Sequence, residues 1–143
     1  MTIRSWEEKD IDILAEMEQR CFRSPFTKQM LLDTLKFPLY QTFLVEEGGQ
    51  VCGYASMMVL FERAEVANVA VDIPFRRRGF GKILMDAMHE RAKVLGAEES
   101  LLEVRVSNAP AIALYEGYGY ARFGIRERYY PDGEDAILMR KEL

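Results

Sequence analysis

The sequence predicts a single-domain α/β fold over residues 1–143, in which a mixed sheet carries helices on its faces. Three observations predict it. The chain has 143 residues, enough to bury most of its surface without disulfide or metal staples. It shows no internal repeat, low-complexity tract or linker. Its apolar residues recur at helical spacing in some segments and in short β-branched runs in others, in the order β-α-α-β-β-β-α-β-α-β-β.

Each element has a local reason. Thr2 to Arg4 is a short strand. Ser5 can cap the helix that follows, with Glu8 at capping-box spacing. From there to about Cys21, Ile11, Leu14, Met17 and Phe22 recur at helical intervals, and Ser24-Pro25-Phe26 breaks the pattern. Thr27 can cap a second helix with Met30, Leu31 and Leu35 on its apolar side, ending before Pro38. Tyr40 to Glu47 and Val51 to Phe61 read as strands joined by Gly48-Gly49, a hairpin signal. Glu65 to Val71 is another strand, and its Val66, Val69 and Val71 break strict alternation, as a bulge would make them do.

Phe80, Leu84, Ala87, Met88 and Leu95 then mark a helix running to Gly96, a terminating residue. Leu101 to Val106 is a strand with Leu102, Val104 and Val106 on one face and Leu101, Glu103 and Arg105 on the other. Ser107 or Asn108 caps a short helix that Pro110 tolerates in its first turn and that Gly117 and Gly119 end. Tyr120 to Arg128 and Asp135 to Glu142 are the last strands, joined by Tyr-Tyr-Pro-Asp-Gly.

Composition excludes several functions. A net charge of −4 argues against broad nucleic-acid binding, which needs a basic face. Two cysteines and one histidine make neither a disulfide framework nor a zinc site, so no metal is expected. The charged N-terminus is unlike a secretion signal, and no apolar run approaches the roughly 18 residues of a membrane span. A cytoplasmic location is the expectation.

The segment with most to explain is Asp72-Ile73-Pro74-Phe75-Arg76-Arg77-Arg78-Gly79-Phe80-Gly81-Lys82, between a strand and a helix. A helix N-terminus leaves N–H groups unpaired and bears partial positive charge, so phosphate binds there readily. Gly79 and Gly81 remove side chains that would hold a phosphate away, and Arg76 to Arg78 and Lys82 add charge. The physical reading is an anion site for a phosphate ester; a surface turn with a solvated arginine cluster fits the same residues. A Walker A loop is excluded because Ile83 follows Gly81-Lys82, and a dinucleotide fingerprint because Leu84 stands where its third glycine belongs.

Arg76-x-x-Gly79-x-Gly81, following Val69-Ala70-Val71-Asp72, resembles the pyrophosphate-binding turn of the GNAT N-acetyltransferases. Three later segments resemble the RimI-type branch of that family. They are Leu102-Glu103-Val104-Arg105-Val106-Ser107-Asn108, Ala111-Ile112-Ala113-Leu114-Tyr115-Glu116 and Tyr129-Tyr130-Pro131-Asp132-Gly133-Glu134-Asp135-Ala136. The resemblance covers nearly the whole chain. It implies a GNAT-like fold, with a mixed, mostly antiparallel sheet and helices on both faces. It implies acetyl-CoA as co-substrate and a protein N-terminus as acceptor, in that branch the N-terminal alanine of a small-subunit ribosomal protein.

The resemblance also implies roles for residues. Main-chain groups of Val69, Ala70 and Val71 would pair with the pantetheine arm as an added strand would. The N–H groups of Arg77, Arg78, Gly79, Phe80, Gly81 and Lys82 would hold the pyrophosphate. Arg76, where many relatives carry glutamine, is an accepted variant. Asn108 would bond the cofactor as well as cap its helix. Phe26, Tyr129, Tyr130 and Asp135 would lie beside the substrate's amino terminus.

Acetyl transfer from a thioester to an amine needs a neutral amine, a held oxyanion and a protonated leaving thiolate. An α-amine has a reference pKa near 8, so a base beside it helps. Glu103 is the candidate base; from pattern alone it reads more readily as a solvated carboxylate paired with Arg105, and the resemblance supplies the catalytic role. Tyr115 is the candidate acid, a phenol suited to protonating a thiolate, although a tyrosine in a short helix is more often core. His89 reads as a helix-surface or packing residue, Tyr118 and Tyr120 as core, and Met57-Met58 as strand packing. Cys21 and Cys52 lack a neighbouring base, which speaks against a covalent acetyl-cysteine. Three other readings stay open: a GNAT enzyme acting on lysine side chains or small amines, a domain that only binds acyl-CoA, and an RNA-binding module using Arg76 to Arg78.

Overall fold

A computed structural model describes residues 1–143. Seven strands form one sheet in the order β1-β2-β3-β4-β5-β7-β6. They are β1 (Thr2–Arg4), β2 (Tyr40–Glu47), β3 (Gln50–Leu60), β4 (Arg63–Val71), β5 (Glu99–Arg105), β6 (Ala121–Arg126) and β7 (Ala136–Glu142). Every neighbouring pair is antiparallel except β4 and β5, which are parallel. Four helices, α1 (Ile11–Cys21), α2 (Lys28–Lys36), α3 (Phe80–Val94) and α4 (Ala109–Gly117), cover the sheet. The order of elements is the expected one, and strand limits move by one or two residues.

The sheet separates two cores. On one side Ile11, Leu14 and Met17 of α1 and Leu31 of α2 pack with Trp6, Leu44, Tyr54 and Ala70. On the other, Phe80, Leu84, Met85, Met88 and Ala92 of α3 and Ile112 and Tyr115 of α4 pack with Ala55, Met57, Val59, Leu102, Val104 and Met139. The spacing of those α3 residues is the apolar stripe of an amphipathic helix. Thr27 caps α2 by accepting from Met30 N–H at 3.1 Å, and Asn108 caps α4 by accepting from Ala111 N–H at 3.3 Å. Ser5 does not cap α1. A single 3-10 turn, Glu8–Asp10, comes first, and Asp10 accepts from Glu7 N–H at 2.7 Å.

What positions the site is the way β4 leaves β5. The expected bulge lies at Ala67: Ser56 pairs with Asn68 and Met57 with Val66, leaving Ala67 without a partner on β3. The extra residue bends the strand. Pairing with β5 runs from Arg63 to Glu65 and stops. From Val66 to Val71 the β5-facing edge of β4 has no strand beside it, and neither has the facing edge of β5 beyond Leu101. The two strands form a wedge open toward the N-terminus of α3.

Candidate active site

A cleft of about 610 Å³ opens at this wedge. Phe26, Met58, Glu65, Ala67, Glu103 and Tyr129 are among its lining residues. Met58, read as packing in sequence, therefore faces the cleft, whereas Met57 is buried.

One flank of the wedge is the β4 edge. Asp72 N–H donates to Cys52 C=O at 2.8 Å. Alternation along the strand then turns the main-chain groups of Ala70 toward β3 and those of Val69 and Val71 toward the wedge. Of the three expected pairing residues, two present their backbone there. Arg76 Nε reaches back to Val71 C=O at 3.0 Å. Buried Asp72 fixes where the strand ends: it accepts from Arg20 at 2.8 Å and from Ile73 N–H at 3.0 Å. The Arg20 guanidinium holds its carboxyl below the usual carboxylate range.

The turn that follows leaves its backbone donors free. The N–H groups from Arg77 through Lys82 donate to no backbone or side-chain acceptor in the protein, and the α3 ladder begins with Ile83 N–H on Gly79 C=O at 3.1 Å. Six successive N–H groups around a helix N-terminus are thus left without a protein partner. Gly79 takes φ +86° and Arg77 φ +63°, whereas Gly81 has helical backbone and needs no special angle. A Cβ on Gly81 would meet Leu114 and Val71 at ordinary contact distances. The arginines are not equivalent. Arg78 is ion-paired to Glu47 at 2.6 Å and lies over Phe80, while Arg77 and Lys82 are exposed cations without an acidic partner.

Glu103 stands on β5 with its side chain toward the cleft, on the face shared with Leu101. Its ionic neighbour is Arg126 of β6 at 3.7 Å, not Arg105. Arg105 is taken up elsewhere: it bonds Asp132 and Glu134 at 2.8 Å each and Ser24 at 2.9 Å, and lies 4.1 Å over the Tyr130 ring. Tyr129 and Tyr130 lie in the loop between β6 and β7, as the sequence places them, and their rings meet edge to face at 5.1 Å. Glu103 raises the Tyr129 phenol, with burial adding to it. Burial and then Glu103 push the Tyr130 phenol up to about 12. Both phenols are O–H donors at neutral pH.

Tyr115 is buried in α4, edge to face with Tyr120 at 5.9 Å. Its hydroxyl has no partner in the protein and is not sealed from solvent, and burial raises its pKa. It does not line the cleft that Glu103 lines, although Tyr130 is close enough to act electrostatically on it. Asp135 does not line that cleft either. It accepts from Arg128 N–H at 2.9 Å and closes the β6–β7 loop.

His89 is a buried residue rather than a surface one, bonded to Tyr120 Oη at 2.8 Å, which in turn bonds Ser100 at 2.7 Å. Tyr120 is core, but Tyr118 is half-buried and donates to Asp86 at 2.9 Å. Sequence reasoning missed Arg126 and the Arg105 cluster. A second bulge, at Phe123, sets the register of β6 on β7, and nothing in the spacing of Arg122 and Arg126 announces it.

A family model described as acetyltransferase (GNAT) family matches residues 11–120. The [ribosomal protein bS18]-alanine N-acetyltransferase of Escherichia coli is 36% identical over 141 residues, covering 96% of this chain and 95% of that protein. An N-alpha-acetyltransferase of Sulfurisphaera tokodaii is 32% identical, covering 99% of this chain and 92% of that protein. The crystal structure of the ribosomal-protein-S18-alanine N-acetyltransferase from Escherichia coli superposes with a TM-score of 0.91 at 35% identity, covering 99% of this chain and 92% of that one.

Proposed function

The chain belongs to the GNAT acetyltransferase family, and from that premise we propose that it transfers the acetyl group of acetyl-CoA to the N-terminal α-amine of a protein. The acceptor favoured by its relatives' names is the alanine of a small-subunit ribosomal protein. One observation carries the reading. The wedge between β4 and β5 opens toward six unpartnered N–H groups before and in the first turn of α3, and Glu103 lines the cleft at that wedge.

Acetyl-CoA supplies the thioester. The donors from Arg77 to Lys82 would hold its pyrophosphate, with Arg77 and Lys82 as free cations and Asn108 as a further polar contact. Val69 and Val71 would pair with its pantetheine as an added strand. Glu103 accepts the proton of the incoming ammonium, directly or through one water. Tyr115 enters as an O–H, because burial raises its pKa, and has no other partner for its proton, so it can donate to the departing sulfur. Phe26 and Tyr129 bound the cleft where the first residue would lie, and Tyr130 and Asp135 shape the loop above it.

An α-amine is easier to deprotonate than a lysine amine by about two pKa units on reference values. Peptides that begin with alanine or serine and carry internal lysines should therefore be acetylated at the α-amine alone. Paired peptides, one free and one N-terminally blocked, with tandem mass spectrometry, test this. Efficient modification of the blocked peptide would move the acceptor to lysine; modification of neither would favour a small-amine acceptor or acyl-CoA binding without catalysis.

A further inference from the structure

Glu18 is a buried carboxylate, 2% exposed, that the chemistry above does not use. It sits on α1 and accepts from three groups on three other segments. Phe26 N–H donates to Oε1 at 2.8 Å. The Tyr54 hydroxyl of β3 and Asn68 Nδ2 of β4, the latter at 3.4 Å, donate to Oε2. Ser56 completes the chain by donating to Asn68 Oδ1.

Two of these contacts reach segments that line the acceptor cleft. Phe26 lines it from the loop between α1 and α2. Asn68 follows Ala67, the bulged residue that lines it from β4. Burying a carboxylate is costly unless its oxygens are hydrogen-bonded, and here three donors meet them. An apolar residue would leave the Phe26 N–H unsatisfied and unlink loop from bulge. Resting on the function proposed above, we infer that Glu18 is a positioning residue for the acceptor cleft. It holds Phe26 at a fixed distance from the bulge of β4 and so sets the width of the slot that takes the peptide's first residue.

The test compares Glu18→Ala, Glu18→Gln and the parent protein in two measurements. Hydrogen exchange read by mass spectrometry should show residues 22–27 exchanging about 10-fold faster or more in Glu18→Ala, with α3 unchanged. Steady-state kinetics should show KM for an alanine-initiated peptide rising about 10-fold or more, with acetyl-CoA affinity within about 2-fold. Glu18→Gln keeps one acceptor oxygen for Phe26 N–H and should restore most of both. If Glu18→Ala does not fold, Tyr54→Phe removes one donor and should raise the peptide KM about 3-fold or more, again without moving acetyl-CoA affinity. An unshifted peptide KM, unchanged exchange, or peptide KM and acetyl-CoA affinity worsening together would overturn the inference alone. Failure of the parent protein to acetylate any alanine-initiated peptide would overturn the proposed function and this inference together.

Discussion

At the scale of single residues, the two glycines of the turn do different work. Gly79 lies at φ +86°, and a Cβ added there would meet nothing within 4 Å, so its requirement is conformational. Gly79→Ala should lower stability by about 1–2 kcal/mol, read from denaturant midpoints. A Cβ on Gly81 would meet Leu114 Cδ2 at 3.5 Å and Val71 Cγ2 at 3.9 Å, which are ordinary contacts. Gly81→Val should therefore keep the fold while crowding the phosphate approach, and calorimetry should show acetyl-CoA binding weakened about 10-fold or more. His89 makes a prediction about pH. Burial lowers its pKa from 6.5 to about 4, so the folded protein holds it neutral. Between those values the unfolded chain binds the extra proton, and stability falls as pH drops from about 6.5 toward 4. Unfolding curves across that window should show the loss, and His89→Gln should flatten it.

At the scale of elements, Gly53 is where β3 and β4 approach too closely for a side chain. A Cβ there would lie 2.6 Å from Ala70 C=O and 3.3 Å from Leu84 of α3. Gly53→Ala should cost about 1–3 kcal/mol, visible as a lower thermal midpoint. Much of this level was legible in the sequence. Thr27 and Asn108 cap the helices that their spacing predicts, because a cap needs only local geometry. The β4 bulge shows in the broken alternation of Val66, Val69 and Val71, and it lies at Ala67. Two features were not legible. The parallel pairing of β4 with β5 lasts three residues, a length set by the bulge and not by propensity. The sequence places the loop carrying Tyr129 and Tyr130 between the last strands, but what holds it was not legible: Arg105, Asp132 and Glu134 meet only in the folded chain.

At the scale of the molecule, the wedge in the sheet joins two surfaces that the sequence presents as unrelated motifs. The arginine-glycine turn explains itself through backbone donors left without partners. The resemblance, and not the strand pattern, singles out Glu103, and its neighbour could not be read at all: the register of β6 on β7 brings Arg126, not Arg105, to its side. Arg105 instead ties the loop carrying Ser24 to the loop carrying Asp132 and Glu134. Whether Glu103 is the base is decided most directly by the turnover of Glu103→Gln on an alanine-initiated peptide, with acetyl-CoA affinity measured on the same sample. Turnover should fall about 100-fold or more with affinity nearly unchanged. Parental turnover under saturating substrates would refute the role of Glu103 and leave positioning alone to explain the reaction.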